Sequence, residues 1–345
     1  MPILAAAWLL SLAQDPASQP AEQDDLEKDF AELAGAFAPG WNVDVHAAMR
    51  AAYINTPRDD AASTSFDTAR LWIEGEFDRW LVHFGWRAER GPGYGFFGIP
   101  DQVGEMREHE VWVRTPVFDF LDFRIGRFKA PVVTSTMIPE TGLLLYHRTF
   151  IGNDWDSYST GAALEAHFGP LRGSITAQDG EDDDGKELAW TARGDLDLVG
   201  EGISMLHEGA YGASKKLAVT VGGSIYYDTY THNRSAQAAE VRMTGGSLFG
   251  LGPFSLSGEY LDTGDGLGNL FSWGGVASVM LLEDLELAGA IEDFDRDDGT
   301  DLWRGSLSYY MNGHDAKLQL IYAQAESNAP VASGDTWMLG LTIGI

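Results

Sequence analysis

Residues Asp335 to Ile345 sort by parity. Trp337, Leu339, Leu341, Ile343 and Ile345 stand at odd positions, and Thr336, Met338, Gly340, Thr342 and Gly344 at even ones. A period of two is that of a β-strand, whose successive side chains point to opposite faces. The stretch is also long: soluble strands usually run about five or six residues, whereas a tilted membrane-crossing strand needs about nine to eleven. The pattern recurs. Leu188, Trp190, Ala192, Gly194, Leu196 and Leu198 alternate with Ala189, Thr191, Arg193, Asp195 and Asp197, and Leu285, Leu287, Gly289 and Ile291 alternate with Glu286, Ala288, Ala290 and Glu292. No charge falls in either apolar register, so one face of each strand suits lipid and the other suits a wet lumen.

Period-two segments predict strands near 43–53, 67–78, 80–89, 105–115, 122–130, 158–168, 170–178 and 187–198. They continue near 216–227, 238–247, 253–261, 269–281, 284–293, 301–311, 314–325 and 335–345. This is an all-β chain of about sixteen strands, an even number as bacterial single-chain barrels require. The connections alternate between long (54–66, 90–104, 131–157, 179–186, 228–237, 262–268, 294–300, 326–334) and short (79, 116–121, 169, 248–252, 282–283, 312–313). Long extracellular loops and short periplasmic turns give that rhythm in a transmembrane antiparallel β-barrel. The connection from Val199 to Lys215 breaks it. Asn312-Gly313 reads as a two-residue hairpin turn of type I′.

Hydropathy changes little in this picture. With 44 % hydrophobic residues in 345, no run approaches the roughly 18 apolar residues of a membrane-crossing helix, but alternation hides a barrel from that test. Residues 41–345 form the barrel domain. Ahead of it, the apolar run Ile3 to Leu12, followed by small residues, reads as a signal peptide over 1–13. Residues 14–40 then hold a mobile stretch and a short periplasmic helix, where Leu26, Phe30, Leu33 and Phe37 fall at helical spacing. A formal net charge of −29 excludes nucleic acid as a partner, because binding phosphate backbones relies on Lys and Arg.

Three segments carry a family likeness. Gly126-Arg127-Phe128-Lys129-Ala130-Pro131, at the entry to the longest loop, resembles the Gly-Arg-x-Lys-x-Pro stretch of the phosphate-selective porin O and P family, and His147-Arg148-Thr149-Phe150 resembles the end of that loop. Tyr309 to Leu318 is similar to the family's penultimate hairpin. The resemblance implies a sixteen-stranded barrel in the outer membrane of a Gram-negative-type bacterium, with the third loop folded inward to narrow the pore. It also implies passive diffusion of ions and small hydrophilic solutes, phosphate and other anions among them, and leaves a homotrimer open. The family's lysine ladder is missing here, since the lysines are Lys28, Lys129, Lys186, Lys215, Lys216 and Lys317.

Arginine is the commoner cation. Arg50, Arg70, Arg87, Arg114 and Arg124 fall on the lumenal register of consecutive early strands, with Arg127, Lys129 and Arg148 beside the third loop and Glu140 within it. These nine are the candidate pore-lining and constriction residues. One reading makes the arginines salt-bridged wall residues. The other sets them as a basic face opposite an acidic loop, orienting solutes in a transverse field. Other motifs are weaker. Gly180 to Lys186 has the outline of a P-loop, but Glu187 replaces the Ser or Thr and three Asp repel phosphate. Asp293, Asp295 and Asp297 have the spacing of a calcium loop and at most weak divalent binding, because Arg304 stands where the final Glu belongs. His46, His83 and His167 share the lumenal register without any hydrolytic motif, so no enzyme, cofactor or catalytic residue is expected. The rival reading is a structural or surface-interaction barrel with a plugged lumen.

Overall fold

A computed structural model describes residues 42–56, 61–90, 103–179, 188–213, 216–228, 234–247, 250–264, 269–294, 299–327 and 334–344. The signal peptide, the N-terminal helix and the P-loop-like stretch lie outside the described residues. Sixteen strands follow one another. The first eight are β1(Asn42–Thr56), β2(Ala61–Phe77), β3(Trp80–Arg90), β4(Val103–Phe118), β5(Leu121–Lys129), β6(Tyr158–Phe168), β7(Leu171–Gln178) and β8(Ala189–Val199). The rest are β9(Ala218–Tyr227), β10(Ser235–Gly245), β11(Phe254–Gly264), β12(Asn269–Leu282), β13(Leu285–Phe294), β14(Thr300–Asn312), β15(Ala316–Ser327) and β16(Gly334–Gly344). Each pairs antiparallel with its neighbours in sequence, and β1 closes on β16 with Arg50 opposite Thr342 and Ala52 opposite Gly340. Closure removes the sheet edge, which lipid could not satisfy.

The barrel inverts a soluble protein. Leu164, Ile175, Trp190, Ile225, Trp303 and Leu339 are exposed on the outer face, while Thr191, Ser306, Ser308, Lys317, Gln319 and Thr336 are buried within. The outer face presents aromatic residues toward both ends of the strands. Phe77, Trp80, Phe118, Phe120, Phe168 and Tyr309 stand near the short-turn mouth, and Trp190, Tyr227, Tyr260, Trp273, Trp303 and Trp337 near the other. Such rings favour the headgroup level. Tyr226, next to the outward Tyr227, turns inward and packs edge-on against Trp155 at 4.8 Å.

The hairpin after β14 is longer than the Asn-Gly pair implied. Gly313 has φ of +58° but Asn312 stays in the strand and pairs with Ala316, so the loop is three residues with a register shift beside it. Between β5 and β6 the chain turns into the lumen through two short helices, α1(Thr134–Met137) and α2(Phe150–Asp154). Gly126 sits at φ +135° just before this departure, where a Cβ would come within 2.2 Å of the Val111 carbonyl oxygen. Only glycine serves there.

Candidate functional site

The inward loop, residues 130–157, is fastened to one half of the lumen wall. A loop in a wet lumen has backbone groups to satisfy, and the wall supplies partners of both kinds. Wall cations and amides donate to loop carbonyls: Arg304 to His147 O at 2.9 Å and Arg148 O at 3.0 Å, Gln319 to Leu144 O at 2.7 Å, Lys317 to Leu143 O, and Arg50 to Tyr146 O. Wall carboxylates accept from loop amides, Glu240 from Thr134 at 3.0 Å and Glu292 from Phe150 at 2.5 Å. Apolar packing follows the same footprint. Val132, Val133, Ile151 and Trp155 meet Ala189, Ala236, Ala238 and Leu261; Leu144 and Leu145 meet Val276, Ala288 and Ala290; Tyr146 meets Ala52, Ile321 and Met338. At Gly340 the Tyr146 ring lies where a Cβ would stand, 2.4 Å away. The sequence signal for this footprint was available: Val276, Leu302, Ile321 and Met338 are apolar residues on the lumenal register, where a wet wall has no use for them.

The loop's three acids are paired with cations, most of them from the wall. Glu140 pairs with Arg87 at 2.5 Å and Arg50 at 3.7 Å; Asp156 pairs with Arg148 at 3.2 Å, Arg87 at 4.0 Å and Lys129; Asp154 pairs with Arg234 at 3.1 Å. Burial would raise the Glu140 carboxyl, but Arg87, then Arg50, Arg70 and Arg148, hold it at about 2. The Asp156 carboxyl, also pushed up by burial, is held well below the carboxylate range by Lys129, Arg148 and Arg87. Arg148 further ties the loop's own turns together, donating to Ser135 O at 2.5 Å and Ile138 O at 2.6 Å.

A second segment enters from the opposite mouth. Residues 200–213 of the connection between β8 and β9 fold back into the barrel and meet the loop there, with the Glu208 N–H donating to Gly142 O at 2.9 Å and the Glu208 carboxylate accepting from the Leu144 N–H at 3.0 Å. This accounts for the broken rhythm of connections. The segment docks on β13 and the β14–β15 hairpin: Ala210 N–H donates to Glu286 at 2.5 Å, Tyr211 stacks on Tyr310 at 4.0 Å, and His207 stacks on His314 at 4.2 Å. Burial, then the nearby Lys317, lowers the His207 imidazole; the same causes, with His207 added, bring His314 down to about 3.

Between these two segments and the wall of β2 to β8 a cavity of about 680 Å³ stays open. Its wall side carries Arg70, Arg114, Arg124, Glu74, Glu110 and Glu165, with Trp72 and Trp112 among them. Arg70 faces Glu110 at 3.9 Å, Arg114 faces Glu165 at 4.0 Å, and Arg124 engages the same Glu165 more closely. His83 stacks on Trp112 at 5.1 Å and bonds Glu74 at 3.1 Å. The opposite side is largely apolar: Pro131, Met137, Pro139 and Thr141 from the loop, and Met205, Leu206 and His207 from the connection.

The closed sixteen-strand barrel superposes on solved outer-membrane structures. OmpF of Salmonella typhi in complex with daunomycin superposes with a TM-score of 0.62 at 13 % identity, over 89 % of this chain and 98 % of that one. OprB of Pseudomonas putida at low pH gives 0.59 at 9 % identity, over 93 % and 97 %. An anion-selective porin from Comamonas acidovorans gives 0.55 at 13 % identity, over 88 % and 100 %. The fold is that of the outer-membrane porins. No family model matches the sequence, and no curated protein does.

Within this porin-type barrel the nine candidate residues part into three groups. Arg50, Arg87, Arg148, Lys129 and Glu140 meet in the buried cluster that pins the loop, Lys129 also reaching the cavity. Arg70, Arg114 and Arg124 line the open cavity. Arg127 joins neither: Gly126 faces Trp112 across the ladder, so Arg127 falls on the outward register of Phe123 and Ile125. Of the five arginines expected to form a basic face, Arg50 and Arg87 are paired with the loop's carboxylates, whereas Arg70, Arg114 and Arg124 face the wall carboxylates Glu110 and Glu165. Among the described residues no group of His, Cys, Asp or Glu is arranged to hold a metal ion. Asp295 and Asp297 lie outside the described residues, and Asp293 accepts from the Trp273 indole at 3.1 Å.

Proposed function

We propose that the chain is an outer-membrane porin that lets ions and small hydrophilic solutes diffuse passively along the β2–β8 side of its lumen, with weak selectivity. The carrying observation is the 680 Å³ cavity left beside the docked loop, which a plugged structural barrel would fill. The reading places it in the outer membrane of a Gram-negative-type bacterium, in contact with lipid along its apolar belt and without cofactor or covalent chemistry. A homotrimer fits it, since OmpT of Vibrio cholerae, similar at a TM-score of 0.60 and 11 % identity, is described in a trimer form. The resemblance to the phosphate-selective porins supports passage of anions, yet the cavity's arginines already face carboxylates and no lysine ladder lines it. Selectivity is therefore set by paired charges of both signs and stays weak.

Planar-bilayer recording in a salt gradient tests this. The native barrel should conduct, and Arg114→Ala with Arg124→Ala should move the zero-current potential toward greater cation preference, because Glu165 then loses both partners. An electrically silent, correctly folded barrel would return the plugged-lumen reading. Saturable micromolar block by inorganic phosphate would overturn weak selectivity.

A further inference from the structure

Met137, Pro139 and Thr141 of the loop and Met205, Leu206 and His207 of the connection are drawn from opposite mouths, yet they face one cavity as a continuous strip. The hydrogen bond between Glu208 and Gly142 fixes their adjacency. Leu206 is 60 % exposed, and it projects into the lumen rather than toward lipid. An apolar side chain held in water costs free energy that a passage for ions alone has no reason to incur. Across the cavity stands the Arg114 guanidinium, its side chain 41 % exposed. Its partner Glu165 lies at the limit of ion-pairing distance and is engaged more closely by Arg124. Trp112 lies under both guanidiniums at 5.8 and 5.7 Å. Apolar surface on one side with a few convergent polar groups on the other is how small-molecule sites are built, and the volume falls within their range of roughly 300 to 1,000 Å³.

We propose that the cavity is a transit site for amphiphilic carboxylates, solutes with an apolar or aromatic body and one carboxylate, the body lying on Met205 and Leu206 and the carboxylate on Arg114. The proposal rests on the porin reading and narrows its solute class. Charge complementarity selects the acid group, because a guanidinium offers a carboxylate two parallel donors. The apolar strip selects the body, a task that a field between charged walls could not perform.

The test is ion current through the native barrel in potassium chloride with phenylacetate or acetate added at equal concentration. Phenylacetate should block the current and acetate should not. Leu206→Ser should weaken the phenylacetate block about fivefold, and Leu206→Phe should strengthen it, each read as the fraction of that variant's own solute-free current that is blocked. Arg114→Ala should weaken the block as well. Heat-modifiable gel mobility reports that each variant barrel is folded. A conducting barrel on which acetate and phenylacetate act alike, or on which the Leu206 variants block as the native chain does, overturns the transit site while the porin reading stands. A folded native barrel without current removes both.

Discussion

Glu140 holds Arg87 at 2.5 Å and Arg50 at 3.7 Å with its side chain almost wholly buried. Breaking a buried pair from one side leaves the other charge uncompensated, at a cost of about 3 to 5 kcal/mol. Here two arginines would be left, so Glu140→Gln should loosen the loop by on the order of 3 kcal/mol. Trypsin acting on the detergent-solubilised barrel should then cut at Arg148, which the native fold shields; an equally resistant variant would show that Asp156 suffices. The pH dependence follows from the carboxyl's displacement from its ordinary 4.5 to about 2. A carboxyl held low in the folded state contributes stability above its unfolded value and loses it as pH falls through its folded one. The pin should therefore hold at neutral pH and weaken between about pH 4.5 and 2. That Arg50 and Arg87 face the lumen was legible from parity. That they face Glu140 was not, because a side chain's partner across the barrel is set by how the loop lies.

Residues 200–213 of the connection between β8 and β9 behave as an element of their own, docked by stacked rings rather than by strand pairing. His207 lies against His314 with Lys317, Asp315, Tyr211, Tyr310 and Glu286 around the pair. Both imidazoles are held below their ordinary 6.5, His314 at about 3. A base whose value is lowered by docking favours the docked state above its free value, and that preference fades as pH falls toward the docked one. Acidification from about pH 6.5 should therefore favour withdrawal of the segment and raise conductance, since Met205, Leu206 and His207 border the passage. Conductance recorded with only the turn-side chamber acidified checks this, and His207→Asn with His314→Gln should flatten the response. A native barrel whose current is level between about pH 7 and 4.5 would mean that the stack stays neutral and docked. Sequence reading isolated this connection only as an interruption. Its rings carry no periodic signal, and their partners lie about a hundred residues away in the chain.

For the molecule as a whole, orientation follows from the two mouths. The long connections share one end with the entry to the inward loop, and the connection 200–217 shares the other with the tight turns. Trypsin added outside intact cells should cut at Lys186, between β7 and β8, and spare Lys216, which precedes β9 at the opposite mouth. Cleavage at Lys216 alone would invert the barrel. The same two-ended construction divides the lumen, with loop and connection packed mainly against β8 to β16 and β1 and the passage left along β2 to β8.

The strands were written in the chain. Alternation over ten or more residues, as in Leu188 to Leu198 or Trp337 to Ile345, records two different solvents on two faces, and that local constraint fixes strand, register and barrel together. The rhythm of long and short connections fixed the order of pairing for the same reason. Tertiary structure alone decided the interior. Which half of the lumen the loop covers depends on where apolar residues such as Leu302, Ile321 and Met338 replace polar ones on the inner face, and on wall groups such as Glu240, Arg304 and Lys317 finding backbone partners more than a hundred residues away. Parity assigns a side chain to the lumen. It cannot say whether water, a loop or a solute meets it there, because that depends on contacts between segments that no local period encodes.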